Sequence, residues 1–262
     1  MDASVHYELT GHVAHIVIDN ATARNALTVD MCGVIADSLH KADTDGDVRA
    51  IVIQGQGEHF CSGADLRAFS SLIGASEDVL RSYFSEGYHL IIRSLARCSK
   101  PTLAVIRGAC VGFGFDMALA CDLRLASEGA HFGQVFGRIG LVPDGGSSYN
   151  LPKLVGLARA KELMLLTESF DGKTAAEYGV VNRAMPEANL DSLVSEWATK
   201  LGEGAPIAMR LGLQNLNLGY DGDLEAALVR EQEAQLECLG SKDMMRGVQA
   251  FFAKKAPEFQ GD

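Results

Sequence analysis

The sequence has one tryptophan, six prolines and six cysteines in 262 residues, and no two cysteines form a Cys-x-x-Cys pair. Scattered cysteines in a chain of this size, with no basic-then-apolar leader at its start, point to free reduced thiols rather than a disulfide framework. No run of about 18 apolar residues occurs, which excludes a membrane-spanning helix. A basic excess is also missing. Lys and Arg number 23 against 34 Asp and Glu, a formal net charge of −11, which argues against a general nucleic-acid binder and against an anionic membrane surface. A few gathered Arg or Lys residues can still hold an anionic ligand. Neither Gly-x-Ser-x-Gly nor His-Glu-x-x-His is present, which argues against a serine hydrolase and a zinc protease. No metal site, repeat, low-complexity tract or long linker is seen, and the expected location is cytoplasmic.

What is present is an ordinary globular balance, 47% hydrophobic and 22% charged. Short strands are expected at 7–9 and 13–19 around the turn Thr10-Gly11, then at 48–54, 102–106 and 123–126. Leu27, Met31, Ile35, Leu39 and Ala42 recur at helical spacing behind Thr28, a fitting N-cap. A long helix is expected over 77–98, and another near Phe113. From about Gly145 strand signals fade, and helical patterns follow at 190–201, 224–239 and 244–254. The expectation is an α/β core over 1–200 and a helical region over 201–262.

Three segments carry chemistry. His59-Phe60-Cys61-Ser62-Gly63-Ala64-Asp65-Leu66 follows a strand, and its small residues let a ligand approach the backbone. Gly108-Ala109-Cys110-Val111-Gly112-Phe113-Gly114-Phe115-Asp116 follows another strand and fits no dinucleotide fingerprint, because Met117 stands where the third glycine is needed. It reads instead as a helix N-terminus near Phe113, whose free N–H groups favour a developing negative charge. Gly140-Leu141-Val142-Pro143-Asp144-Gly145-Gly146-Ser147 is a turn with Asp144 at a helix start.

In their order and separation these segments resemble the crotonase (enoyl-CoA hydratase/isomerase) superfamily over nearly the whole chain. Arg24-Asn25-Ala26-Leu27 resembles its early signature, 60–66 and 108–122 its two oxyanion segments, 132–152 its catalytic stretch, and Phe251-Phe252-Ala253-Lys254-Lys255 its C-terminal helix. The resemblance implies a crotonase (ClpP-like) spiral of ββα units with a C-terminal helical region. It implies that the backbone N–H groups of Ala64 and Phe113 hold a thioester oxygen. For coenzyme A, which is part of the substrate and not a separate cofactor, it implies contacts from Arg24, Ala26, Ala64, Asp65, Leu66, Arg67 and Lys254. It implies a homotrimer or a dimer of trimers, in which the C-terminal lysine serves a neighbouring subunit, and a place in fatty acid metabolism.

The sequence departs from the hydratase pattern. Where that pattern has two glutamates, this chain has Asp116 and Phe136, and phenylalanine cannot transfer a proton. Asp144 resembles instead an aspartate of the dienoyl-CoA and epoxyphenylacetyl-CoA isomerase branches. The expected catalytic residues are therefore Asp144 and Asp116, with Phe136 in the acyl pocket and Phe69, Leu72 and Phe84 as further apolar lining. His89, His131 and Asp122 are expected to be structural, and Trp197 lies too far along the chain to support dehalogenation. The expected reaction is proton transfer with a double-bond shift; enoyl-CoA hydration and a catalytically silent acyl-CoA binder are the alternatives.

Overall fold

The computed structural model of the chain describes residues 3–69 and 72–262. Strand β1 (Ser4–Thr10) pairs antiparallel with β2 (Val13–Asp19) across a tight turn in which Gly11 takes φ 57°. Strands β3 (Ala50–Gly55), β4 (Thr102–Ile106), β6 (Leu123–Ser127) and β9 (Arg183–Met185) extend this pair as parallel neighbours, giving a six-stranded sheet in the order β1-β2-β3-β4-β6-β9. Strands β5 (Ala109–Val111), β7 (His131–Gly133) and β8 (Phe170–Asp171) form a second, three-stranded sheet.

The continuous apolar runs of β3 and β4 reflect burial on both faces. Alternate residues divide between two cores, as the two-residue period of a strand requires. Ile51, Ile53, Ala104 and Ile106 enter the main core, with helix α1 (Val29–Thr44) and helix α5 (Phe113–Ala120). Ala50, Val52, Leu103 and Val105 enter a smaller core beneath helix α8 (Glu187–Glu203), where Leu190, Ala198 and Trp197 pack. Thr28 caps α1, its Oγ1 accepting from Met31 N–H at 3.2 Å.

The long helix expected over 77–98 is broken. Helix α3 (Glu77–Tyr83) leads into a wide turn, Phe84–Tyr88, and then helix α4 (His89–Arg97). Gly87 adopts φ −109° and ψ −105° there, a combination that a residue without Cβ reaches most easily. A short helix α2 (Leu66–Phe69) precedes them. Helix α6 (Ser147–Leu166) and helix α7 (Gly172–Glu177) flank β8. Strands β8 and β9 lie beyond Gly145, where no strand was expected; each is only two or three residues long.

Helices α9 (Pro206–Gly219), α10 (Leu224–Gly240) and α11 (Lys242–Ala253) follow α8. They leave many large apolar side chains in solvent, among them Leu216 at 75%, Phe251 at 77% and Phe252 at 79% exposure. The chain end folds back on α11: Asp243, itself buried, accepts from the N–H groups of Gln260 and Gly261, and Arg49 donates to the Phe259 carbonyl. No described helix is long and apolar enough to cross a membrane.

Candidate active site

The site is built where strand ends meet. Leu27 N–H donates to the Gly63 carbonyl and Asp65 N–H to the Leu27 carbonyl, so Leu27 bonds the two residues flanking Ala64. In a parallel bridge of this kind the N–H of the middle residue, Ala64, points to the opposite side. On that side Cys61 bridges Cys110, and α5 begins at Phe113, whose N–H has no intrahelical partner. Gly63 takes φ 101°, and a Cβ there would lie 3.1 Å from the Val111 carbonyl and 3.3 Å from Phe113 N. Glycine thus permits both the turn and the close approach of the two amides.

Asn25 fixes the entrance loop. It is fully buried in the left-handed region, a conformation asparagine tolerates, and its side chain binds Asn20 N–H and the carbonyls of Gln56 and His59. Arg24, held next to it at φ 53°, reaches the cavity.

That cavity has a volume of about 370 Å3. Arg24, Ala64, Leu66, Phe113, Phe136 and Asp144 line it. Tyr88, Val111, Val135, Ile139 and Leu141 add apolar wall, and His131, Arg138 and Ser169 add polar groups. Tyr88 was not anticipated: its ring meets Phe113 edge-on at 5.0 Å, and its hydroxyl donates to the Leu27 carbonyl at 2.9 Å. Phe84 is not in the lining but tilts over His89, and Leu72 is absent from it too. The side chain of Phe69 lies outside the described residues.

Asp144 is the one acidic residue among the described residues lining the cavity. It is not the helix cap that its sequence context suggests, because α6 starts at Ser147 with Gly146 at φ 82° in the cap position. Burial beside apolar side chains pushes its carboxyl up to about 6, against a smaller opposing pull from a backbone hydrogen bond. Its main-chain carbonyl accepts a hydrogen bond from His89 Nε2 at 2.9 Å, a link that no sequence spacing announces.

Asp116, the other expected catalytic carboxylate, lies elsewhere. It is completely buried and does not line the cavity. Gln134 Nε2 donates to one carboxylate oxygen at 2.9 Å and Gly145 N–H to the other at 2.8 Å. Burial pushes its carboxyl up to about 6; the hydrogen bonds from Gln134 and Gly145 oppose that, and the nearby Asp144 charge adds to it. A Cβ at Gly145 would fall 2.5 Å from Asp116 Cβ, so the glycine lets the loop press against the carboxylate. Being one carbon shorter than glutamate, the side chain ends inside this clamp instead of in the cavity. Asp122 accepts from the Thr102 amide and hydroxyl, away from the cavity lining.

The remaining expected ligands of coenzyme A do not line the cavity. Ala26 is buried, Asp65 and Arg67 form an ion pair at 2.7 Å, and Lys254 caps the exposed end of α11. Cys61 and Cys110 lie fully buried beneath the site; desolvation pushes the Cys61 thiol up to about 12, which removes it as a thiolate nucleophile.

Known proteins are similar to this chain in sequence and fold. The family model for enoyl-CoA hydratase/isomerase matches residues 8–262. A short-chain-enoyl-CoA hydratase of Clostridium acetobutylicum is 30% identical over 259 residues, covering 97% of each chain. A peroxisomal Delta(3,5)-Delta(2,4)-dienoyl-CoA isomerase of Arabidopsis thaliana is 31% identical over 269 residues, covering 94% of this chain and 92% of that one. The 1.8 Å crystal structure of an enoyl-CoA hydratase from Bacillus anthracis superposes with a TM-score of 0.92 at 30% identity, covering 100% of both chains. The spiral fold, the glycine-lined meeting of two chain segments and the match along the whole length agree, and the chain belongs to the enoyl-CoA hydratase/isomerase family of the crotonase superfamily.

Proposed function

We propose that this enzyme binds an acyl-coenzyme A thioester, holds its carbonyl oxygen between the N–H groups of Ala64 and Phe113, and isomerises a carbon–carbon double bond with Asp144 as the base. The supporting observation is that Asp144 is the one acidic residue among the described residues lining the cavity to which Ala64 and Phe113 also belong, while Asp116 is sealed behind Gly145. Hydration across a double bond in this family needs one group to activate water and another to handle the α-proton. A double-bond shift needs one group that takes a proton from one carbon and returns it at another. Negative charge collects on the thioester oxygen between the two transfers, and each fixed N–H donor there lowers the barrier by about 3 kcal/mol. A carboxyl held at about 6 suits both the removal and the return of the proton.

Arg24 in the cavity lining supplies positive charge for the coenzyme's phosphates, and Arg67, next in the chain to the lining residue Leu66, adds to it. Lys254, at the exposed end of α11 and outside the cavity lining, would serve the coenzyme of a neighbouring copy. The exposed apolar faces of α9 to α11 support such an assembly, a trimer or a dimer of trimers.

The test is a panel of enoyl-CoA thioesters incubated in heavy water and followed by mass spectrometry. The expected product has the mass of the substrate plus deuterium and a moved double bond, with no water added. Dominant formation of the 3-hydroxyacyl thioester would replace the isomerase reading with a hydratase.

A further inference from the structure

Two arginines line the cavity, Arg24 and Arg138, and neither forms an ion pair among the described residues. They stand at opposite ends of a row of adjacent chain segments. Leu27 bridges Ala64, Cys61 bridges Cys110, Cys110 pairs with Phe132, and Phe132 pairs with Phe170. Arg24 lies just before the first of these segments. Arg138 hangs over the last: its Nε donates to the Thr167 carbonyl at 3.1 Å and its Nη2 to Ser169 Oγ at 3.2 Å. Its Nη1 hydrogens are engaged by no described residue.

If Arg24 serves the coenzyme, as the preceding reading has it, Arg138 is left with the other end of the acyl group. Gly112, next to the Phe113 amide, bonds Gly133, and a Cβ on Gly133 would lie 3.2 Å from Ser169 Oγ. Ser169 is therefore two strand spacings, on the order of 10 Å, from the point where the thioester oxygen would sit. A short acyl chain spans that gap past Val135 and Phe136. A guanidinium pinned by a carbonyl and a hydroxyl, with its Nη1 still open, holds a charged donor in a fixed direction, ready for a carboxylate oxygen. The Ser169 hydroxyl and the exposed His131 ring line the same end and add donors.

We propose that the distal end of this cavity reads a carboxylate, and that the preferred substrates are coenzyme A monothioesters of short dicarboxylic acids, with Arg138 as the specificity-determining residue. This deepens the thioester reading and rests on it.

The experiment is calorimetric titration of the full-length protein with glutaryl-CoA and with pentanoyl-CoA, which differ only in a terminal carboxylate against a methyl group. Adipyl-CoA and hexanoyl-CoA form a second pair. We expect the carboxylate-ended member of at least one pair to bind tenfold or more tighter. R138M should abolish that preference while changing pentanoyl-CoA affinity less than twofold, and R138K should keep part of it. Equal affinities in both pairs would overturn the proposal while leaving the thioester reading intact. So would an R138M variant that weakens all four thioesters alike, since Arg138 would then contact the coenzyme's phosphates. Binding of none of the four would overturn both readings. Should R138M fail to fold, the native preference and its partial retention in R138K decide the matter.

Discussion

The imidazole of His89 donates its Nε2 hydrogen to the main-chain carbonyl of Asp144 across 2.9 Å. Only this tautomer fits, because a carbonyl oxygen can only accept. The bond ties the start of α4 to the loop carrying the proposed base, 55 residues further along the chain. His89 does not line the cavity, so we expect it to act by holding Asp144 in place. Removing a hydrogen bond of this kind costs about 1 kcal/mol, and a misplaced base slows the chemical step further. His89→Ala should lower kcat roughly tenfold with KM changed less than about threefold, and His89→Gln, which can still donate, should recover part of the loss. Steady-state kinetics of the two variants decides this; an effect on KM alone would contradict it.

Asp144→Asn keeps the size of the side chain and removes the base. Turnover should fall by roughly two to four orders of magnitude while thioester affinity stays within about threefold. The pH profile of the native enzyme carries the same information. A base works deprotonated, and burial holds this carboxyl at about 6. Activity should therefore be low at pH 5, rise through about 6 and level off above, with no such rise in the residual rate of the asparagine variant. A flat profile in the native enzyme between pH 5 and 8 would remove Asp144 from the proton-transfer step.

Asp116 separates holding from proton transfer. In Asp116→Asn the amide oxygen can still accept from Gly145 N–H, and the new NH2 can donate to Gln134 Oε1, which is buried without a partner in the native protein. The clamp survives, so activity should stay within about fivefold, whereas Asp116→Ala should lose more than tenfold through a loosened loop. Stability has its own signature. The folded chain holds the Asp116 proton more tightly than the unfolded chain, so its contribution is fully present below about pH 4 and is lost as pH rises through about 6. The loss is on the order of 2–3 kcal/mol. Urea unfolding of native protein and Asp116→Asn at pH 4 and pH 7 should show the variant gaining relative stability at the higher pH. A difference independent of pH would mean that Asp116 is not strained by its burial.

Phe251 and Phe252 stand almost bare on α11 beside further exposed apolar residues on α9 and α10. A patch of that size on a monomer would cost solubility. Light scattering should return three or six times the 28.0 kDa chain mass, and Phe252→Asp should shift the population to smaller species. A native monomer at micromolar concentration would refute the assembly.

Much of this molecule is written locally in its sequence. The apolar runs of β3 and β4 required strands covered on both faces, and Thr28 marked the start of α1 through a three-residue contact. The glycine-rich segments around Gly63 and Gly112 announced close backbone approach, and their order sufficed to indicate the family. Such features depend on neighbours in the chain, which is why periodicity and turn chemistry expose them. Exposure and long-range contact do not. Asp116 and Asp144 are both aspartates near helix starts, yet one is sealed behind Gly145 and the other faces the cavity. The break at Gly87, the Tyr88 hydroxyl on Leu27, the His89 bond to Asp144 and the seat of Arg138 over Thr167 each join segments far apart or turn on packing. Which carboxylate lines the cavity, and which arginine lies over Thr167 without an ion pair among the described residues, was decided only when the sheets and helices closed, because desolvation and distance are properties of the packed chain.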